Sequence, residues 1–221
     1  MLCTFIVVAA TFPAVVRGAQ ECDGGSMESS DVNEILNRIN EMRSSVIQGN
    51  QKNGQGQEKL PAGKYMTQIN WSCDLEKEAM GGTNADCSDP TAPSGKSGFY
   101  KKDSEDTFIS ASYYVENWLR RIEDFPLTDY KDGAVKYSGA ISTKEFANLI
   151  NPEATEIGCA FGSCSDSGDS MFTVYCLTNK DPLACSYDRG KCVKMQGQKK
   201  AFSFRAVLHQ NKNFTNSFCY R

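Results

Sequence analysis

A single histidine, His209, bounds the acid–base chemistry this chain can offer. A serine or cysteine nucleophile would need it as a base, and no nucleophile-elbow motif accompanies it. It reads as an ordinary strand residue. Carboxylates gather at Asp103, Glu105 and Asp106, and again at Glu123-Asp124. The first group falls in a polar stretch and the second at a helix end, so both read as solvated surface rather than an acid/base pair. Neither a P-loop nor a GxGxxG occurs, and nothing demands a cofactor. Ten cysteines are the densest reactive set. The lack of any C-x-x-C spacing, with one distant histidine, argues against a metal such as zinc and for disulfides. One carboxylate stands apart. Asp169 follows Gly168 within the run Ser165-Asp166-Ser167-Gly168-Asp169-Ser170. A narrow turn there would present it to a metal held by a partner, although plain turn chemistry explains the same residues.

The compartment must suit disulfides, and the first residues supply it. Met1 to Val16 are mostly apolar and lead to Arg17-Gly18. This is the pattern of a signal peptide over residues 1–18. The run is shorter than the roughly 20 apolar residues that span a bilayer. The expected mature chain is therefore secreted and extracellular, with no membrane insertion. Cys3 leaves with the leader, so an odd set remains: Cys22, Cys73, Cys87, Cys159, Cys164, Cys176, Cys185, Cys192 and Cys219. At least one is free or pairs with another chain. The sequons at Asn70 and Asn213 fit a secreted glycoprotein. A formal net charge of −3 without a clustered basic face argues against nucleic acid.

The elements that must position these residues follow from periodicity. Residues 19–30 read as an extended leader. Val32, Ile35, Leu36, Ile39, Met42 and Val46 then repeat at helical spacing, with Asp31 and Glu34 as a capping box. Residues 48–63 form a polar loop. A short helix is expected after Trp71, carrying Leu75, Ala79 and Met80, and then a long loop over residues 81–106. Phe108, Ala111, Val115, Trp118, Leu119 and Ile122 mark a third helix whose apolar stripe packs a core. Lys131-Asp132-Gly133 reads as a turn before Val135. Ser142 and Glu145 make a second capping box, opening a helix that Asn151-Pro152 ends. Glu156–Phe161 and Met171–Leu177 read as a hairpin joined by turn residues 162–170. From Asp181 the chain reads as a small stapled appendix, with a strand over Phe202–Leu208. Helices first and a hairpin late predict an α+β fold.

Three segments together resemble the CAP superfamily of secreted proteins, the cysteine-rich secretory, antigen-5 and pathogenesis-related group. The first places Asn40, Arg43 and Ser44 where the family has H-N-x-x-R-S. The second is Leu60-Pro61, Met66, Trp71, Cys73, Leu75 and Glu76, similar to the nematode pattern L-P…M…W-D-C-x-L-E. The third runs from Glu145-Phe146 through Ile157-Gly158-Cys159 to Val174-Tyr175-Cys176. The likeness spans residues 31–180 and is nearest to members from blood-feeding hookworms. It implies a three-layer α-β-α sandwich, here over residues 19–180, with residues 181–221 as a cysteine-rich extension. It also implies the pairs Cys159–Cys176 and Cys87–Cys164. Family members often hold a divalent metal in a central cleft with two histidines and two glutamates. Here Glu145 and Arg121 stand at two of those positions, and the other two have no counterpart, so the resemblance implies no such metal.

With the catalytic options spent, binding is the expected function. Hookworm CAP proteins include antagonists of leukocyte and platelet integrins, and this chain looks most like those acting on platelets. The resemblance implies a non-enzymatic inhibitor of platelet adhesion and aggregation that occupies a host cell-surface receptor, with Gly168 and Asp169 as candidate contacts. The chain has no R-G-D or K-G-D, and Asp188-Arg189-Gly190 carries the same letters in another order. A second expectation, from lipid- and sterol-binding relatives, is an extracellular carrier of a small apolar ligand.

Overall fold

The computed structural model describes residues 21–63, 65–84, 86–127, 130–131, 134–136, 141–182, 186–188, 191–193 and 203–205. The main helices are α1 (Ser29–Ile47), α2 (Cys73–Met80), α3 (Ala111–Asp124) and α4 (Lys144–Leu149). Strands β1 (Asn70–Trp71), β5 (Glu156–Asp166), β6 (Asp169–Thr178) and β2 (Ser97–Ser104) lie side by side in that order. β1 runs parallel to β5, and the other pairs are antiparallel. Short strands β3 (Tyr130–Lys131), β4 (Ala134–Lys136) and β9 (Ser203–Arg205) form a second sheet, and β7 (Ser186–Asp188) pairs with β8 (Lys191–Val193).

The central sheet separates two cores, because residues facing each other across strands share a side and alternate along each strand. Leu75 and Ala79 of α2 pack on Ala160, Tyr175 and Leu177 from one side. From the other side, the stripes of α1 and α3 bury Ile35, Ile39, Val115 and Leu119 against Ile157, Cys159, Val174 and Cys176. This is the three-layer α-β-α sandwich. Gly158 lets β5 approach α2, since a Cβ there would lie 2.2 Å from the Glu76 nitrogen. Among the described residues, no helix is long and apolar enough to cross a membrane.

The family-like segments serve as fasteners. Arg43 lies on the buried stripe of α1, 1% exposed. It donates to the carbonyls of Thr67, Leu149, Asn151 and Ala154 at 2.8 to 3.0 Å. Burial pulls its pKa down to about 10, which leaves it charged at neutral pH. Asn40 donates to and accepts from the backbone of Ile69, copying a strand partner with its side-chain amide. Asn53 does the same to Leu127.

Several boundaries differ from the sequence-based expectation. α1 begins at Ser29, with Glu28 as its N-cap and no side-chain cap, so Asp31 lies inside the first turn. The reason is upstream: Glu76 binds the backbone of Ser26 and Met27 and delivers the chain there. The leader is thus docked from residue 21, and a disulfide joins Cys22 to Cys73. Ser142 caps nothing, because a 3₁₀ turn (Ile141–Thr143) precedes α4 and no side-chain cap forms at Thr143. The expected loop over residues 81–106 contains β2, whose eight residues pair in register with β6. Phe108 stands before α3 rather than in it, because Ser110 caps that helix by accepting from the Tyr113 N–H. Residues 162–170 are mostly strand, with only Ser167-Gly168 left as the turn. Asp132-Gly133 lie outside the described residues.

Candidate functional site

The hairpin of β5 and β6 runs past the helices to a two-residue turn. Ser167 has φ +55° and Gly168 φ +97°. Positive φ at both central positions gives a tight turn whose twist suits the strands. Open space surrounds Gly168. The turn sets Asp166 directly opposite Asp169. Like charges facing across a ladder repel. Lys102, on β2, relieves one of them by an ion pair with Asp166. Its hydrogen bond holds the Asp166 carboxyl below the usual range and lifts the Lys102 amine. Asp169 is exposed, and no ion pair among the described residues reaches it.

The base of this finger is fixed in three places. A disulfide joins Cys159 to Cys176, which face each other across the two strands. Another ties Cys164 to Cys87, in the loop after α2. Asp103 holds the connection between β2 and α3: it accepts from the Thr107 hydroxyl at 2.6 Å, the Ser104 N–H at 3.1 Å and the Tyr114 hydroxyl at 3.0 Å. These bonds, Thr107 first, keep its carboxyl below the ordinary range. Burial, then Asp103, pushes the Tyr114 phenol up to about 12. Asp103 is therefore a structural acceptor rather than the solvated surface group expected from sequence. Lys102 carries no sequence signal, because the residues around it, Ser97–Ser104, have the composition of a loop.

The family's cleft positions lie elsewhere. Arg121, on α3, donates to the Ser142 carbonyl at 3.1 Å and lies 4.6 Å over the Phe125 ring. Glu145 sits in the first turn of α4. Among the described residues, no three metal-ligating side chains converge. A guanidinium in place of a carboxylate does not suit a divalent metal, so these residues do not fit the family's metal site. Asn70 is exposed on β1, whereas His209 and Asn213 lie outside the described residues.

A sequence profile of CAP, the cysteine-rich secretory protein family, matches residues 36–178. No curated protein sequence matches the chain significantly. The fold is similar to that of BmVAL-1, with a TM-score of 0.60 at 20% identity over 75% of this chain and 84% of that one. Na-ASP-1 gives 0.59 at 22% identity over 72% of this chain, which spans only 38% of the length of Na-ASP-1. Hookworm Platelet Inhibitor gives 0.50 at 17% identity, with 79% of each chain covered. At these identities the likeness is one of fold.

Proposed function

Because the chain belongs to the CAP family of cysteine-rich secretory proteins, we propose that it is a secreted, non-enzymatic inhibitor that occupies a host cell-surface receptor. A platelet integrin is the receptor we favour. In this reading residues 1–18 are a signal peptide, residues 19–180 the CAP domain and residues 181–221 an extension, with glycans on Asn70 and Asn213. CAP proteins are mostly secreted, and the three disulfides among the described residues fit an extracellular protein.

One observation carries the reading: Asp169 is exposed beside a two-residue turn on a disulfide-pinned finger. A carboxylate held on a rigid support reaches a receptor-bound cation without the entropy cost of ordering a floppy loop. The fold shared with Hookworm Platelet Inhibitor supports the direction. The test is binding of purified protein to platelet and leukocyte integrin ectodomains in magnesium, together with platelet aggregation. Binding should be lost in EDTA and fall about tenfold or more in Asp169→Ala. Failure to bind any integrin or to slow aggregation would sink the proposal.

A further inference from the structure

The side of the hairpin that faces α3 extends beyond that helix. Phe161 and Phe172 are half-buried there, and Ser163, Ser165 and Ser170 beyond them are exposed. Phe108 packs on both phenylalanines, with ring centroids 5.0 and 5.2 Å apart. The apolar surface then continues onto α3. Phe108 meets Tyr114, which meets Tyr113, each at 5.4 Å. Ile109 is 61% exposed and Tyr113 40%. Tyr113, packed against Tyr114, and Ile109, next to Phe108 in the chain, thus stand in solvent beside this row of rings. Such a patch marks a contact surface.

Its rim chooses the partner. The Glu105 N–H donates to the Ser170 carbonyl, so the turn before Phe108 abuts the hairpin tip. Lys101 and Lys102 are spent on Asp103 and Asp166. No ion pair among the described residues reaches Glu105 or Asp106, and both are exposed. A second copy would bring the same carboxylates against these, and anionic lipid would be repelled.

We propose that this patch docks a cationic protein segment, its apolar side chain against Ile109 and Tyr113 and its basic groups against Glu105 and Asp106. The contact is independent of the integrin reading, because it uses neither a metal nor Asp169. The probe is a synthetic arginine–leucine peptide, titrated against the whole secreted protein, with arginine–serine and glutamate–leucine peptides as comparisons. Only the arginine–leucine peptide should bind, more weakly at high salt and equally well in EDTA. The double variants Ile109→Ser/Tyr113→Ser and Glu105→Lys/Asp106→Lys should each weaken it about tenfold. Glu41→Lys, on the exposed face of α1, should leave it unchanged. Equal binding of the arginine–serine peptide, or an equal loss in Glu41→Lys, would mean unspecific charge attraction and overturn the proposal. So would phosphatidylcholine vesicles binding through Ile109 and Tyr113 while the arginine–leucine peptide does not.

Discussion

The indole N–H of Trp71 donates to Glu76 Oε2 at 2.7 Å, while Oε1 accepts the backbone N–H groups of Ser26 and Met27 at 2.8 and 3.0 Å. Glu76 is 0% exposed, and no cation pairs with it among the described residues. Three N–H dipoles take the place of a counter-ion. The W-x-C-x-L-E spacing therefore works as a clamp that gathers β1, α2 and the leader. Gly25 belongs to it, since a Cβ there would lie 2.3 Å from Glu76 Oε1.

Removing the carboxylate strands three donors in a dry place. Glu76→Ala should cost about 3 kcal/mol or more, because a buried donor left unmade costs more than a made bond contributes. Trp71→Phe, which removes one donor, should cost about 1 to 2 kcal/mol. Guanidinium melts with the disulfides intact measure both. A double-mutant cycle should return a coupling of about 1 kcal/mol. Additive losses would mean that the bond contributes little.

Arg43 offers the same logic with the signs exchanged. Its fork reaches four carbonyls from four directions, a geometry an ammonium cannot copy. Arg43→Lys should lose about 2 to 4 kcal/mol despite keeping the charge. By contrast, Arg38→Ala should move stability by less than about 1 kcal/mol, since its pairs with Glu34 and Glu116 are solvent-exposed. Thermal melts of the two variants side by side check the ranking.

How far the sequence led can be judged at such residues. The stripes of α1 and α3 were legible because their apolar spacing matches the helical period and their burial follows it. The role of Arg43 was not, because its acceptors lie far along the chain and a charged residue on a buried stripe breaks the pattern. β2 was missed for a related reason. Its residues, Ser97-Gly98-Phe99-Tyr100-Lys101-Lys102-Asp103-Ser104, have poor strand propensity, and pairing with β6 decides their state. With β2 went Lys102, the residue that distinguishes Asp166 from Asp169. A turn around Gly168 was legible, but not the length of the strands that carry it, which leaves only Ser167-Gly168 between them.

Asp103 should leave a mark on the acid limb of stability. Its folded pKa lies below the ordinary 3.8, chiefly through the Thr107 hydroxyl and then Tyr114. The unfolded chain therefore binds the proton more readily than the folded one as pH falls toward that range. The stabilisation is complete above about pH 4 and is lost as pH drops through the folded value. Asp103→Asn should lower the melting temperature at pH 7 and flatten its fall below about pH 4. Parallel curves for the two proteins at all pH values would refute this role.

Gly158 tests the closest approach in the fold. A Cβ there would meet the Glu76 nitrogen at 2.2 Å, the Leu75 carbonyl carbon at 2.6 Å and the Leu75 Cβ at 2.7 Å. Two of these atoms are backbone of α2, which cannot swing aside as a side-chain tip would. The helix must back away from β5, which loosens Leu75 and Ala79 from Ala160 and Leu177 and pulls on the Cys22–Cys73 bond at the start of the helix. Gly158→Ala should therefore destabilise by about 3 kcal/mol, at the upper end of overpacking costs. Gly168→Ala meets no atom within 4 Å and strains only its positive φ, so about 1 kcal/mol is expected there. Chemical denaturation of the two variants, with hydrogen exchange over residues 73–80, separates the effects. Fast exchange in α2 should appear in Gly158→Ala alone, and protected amides there would show that the helix had not moved.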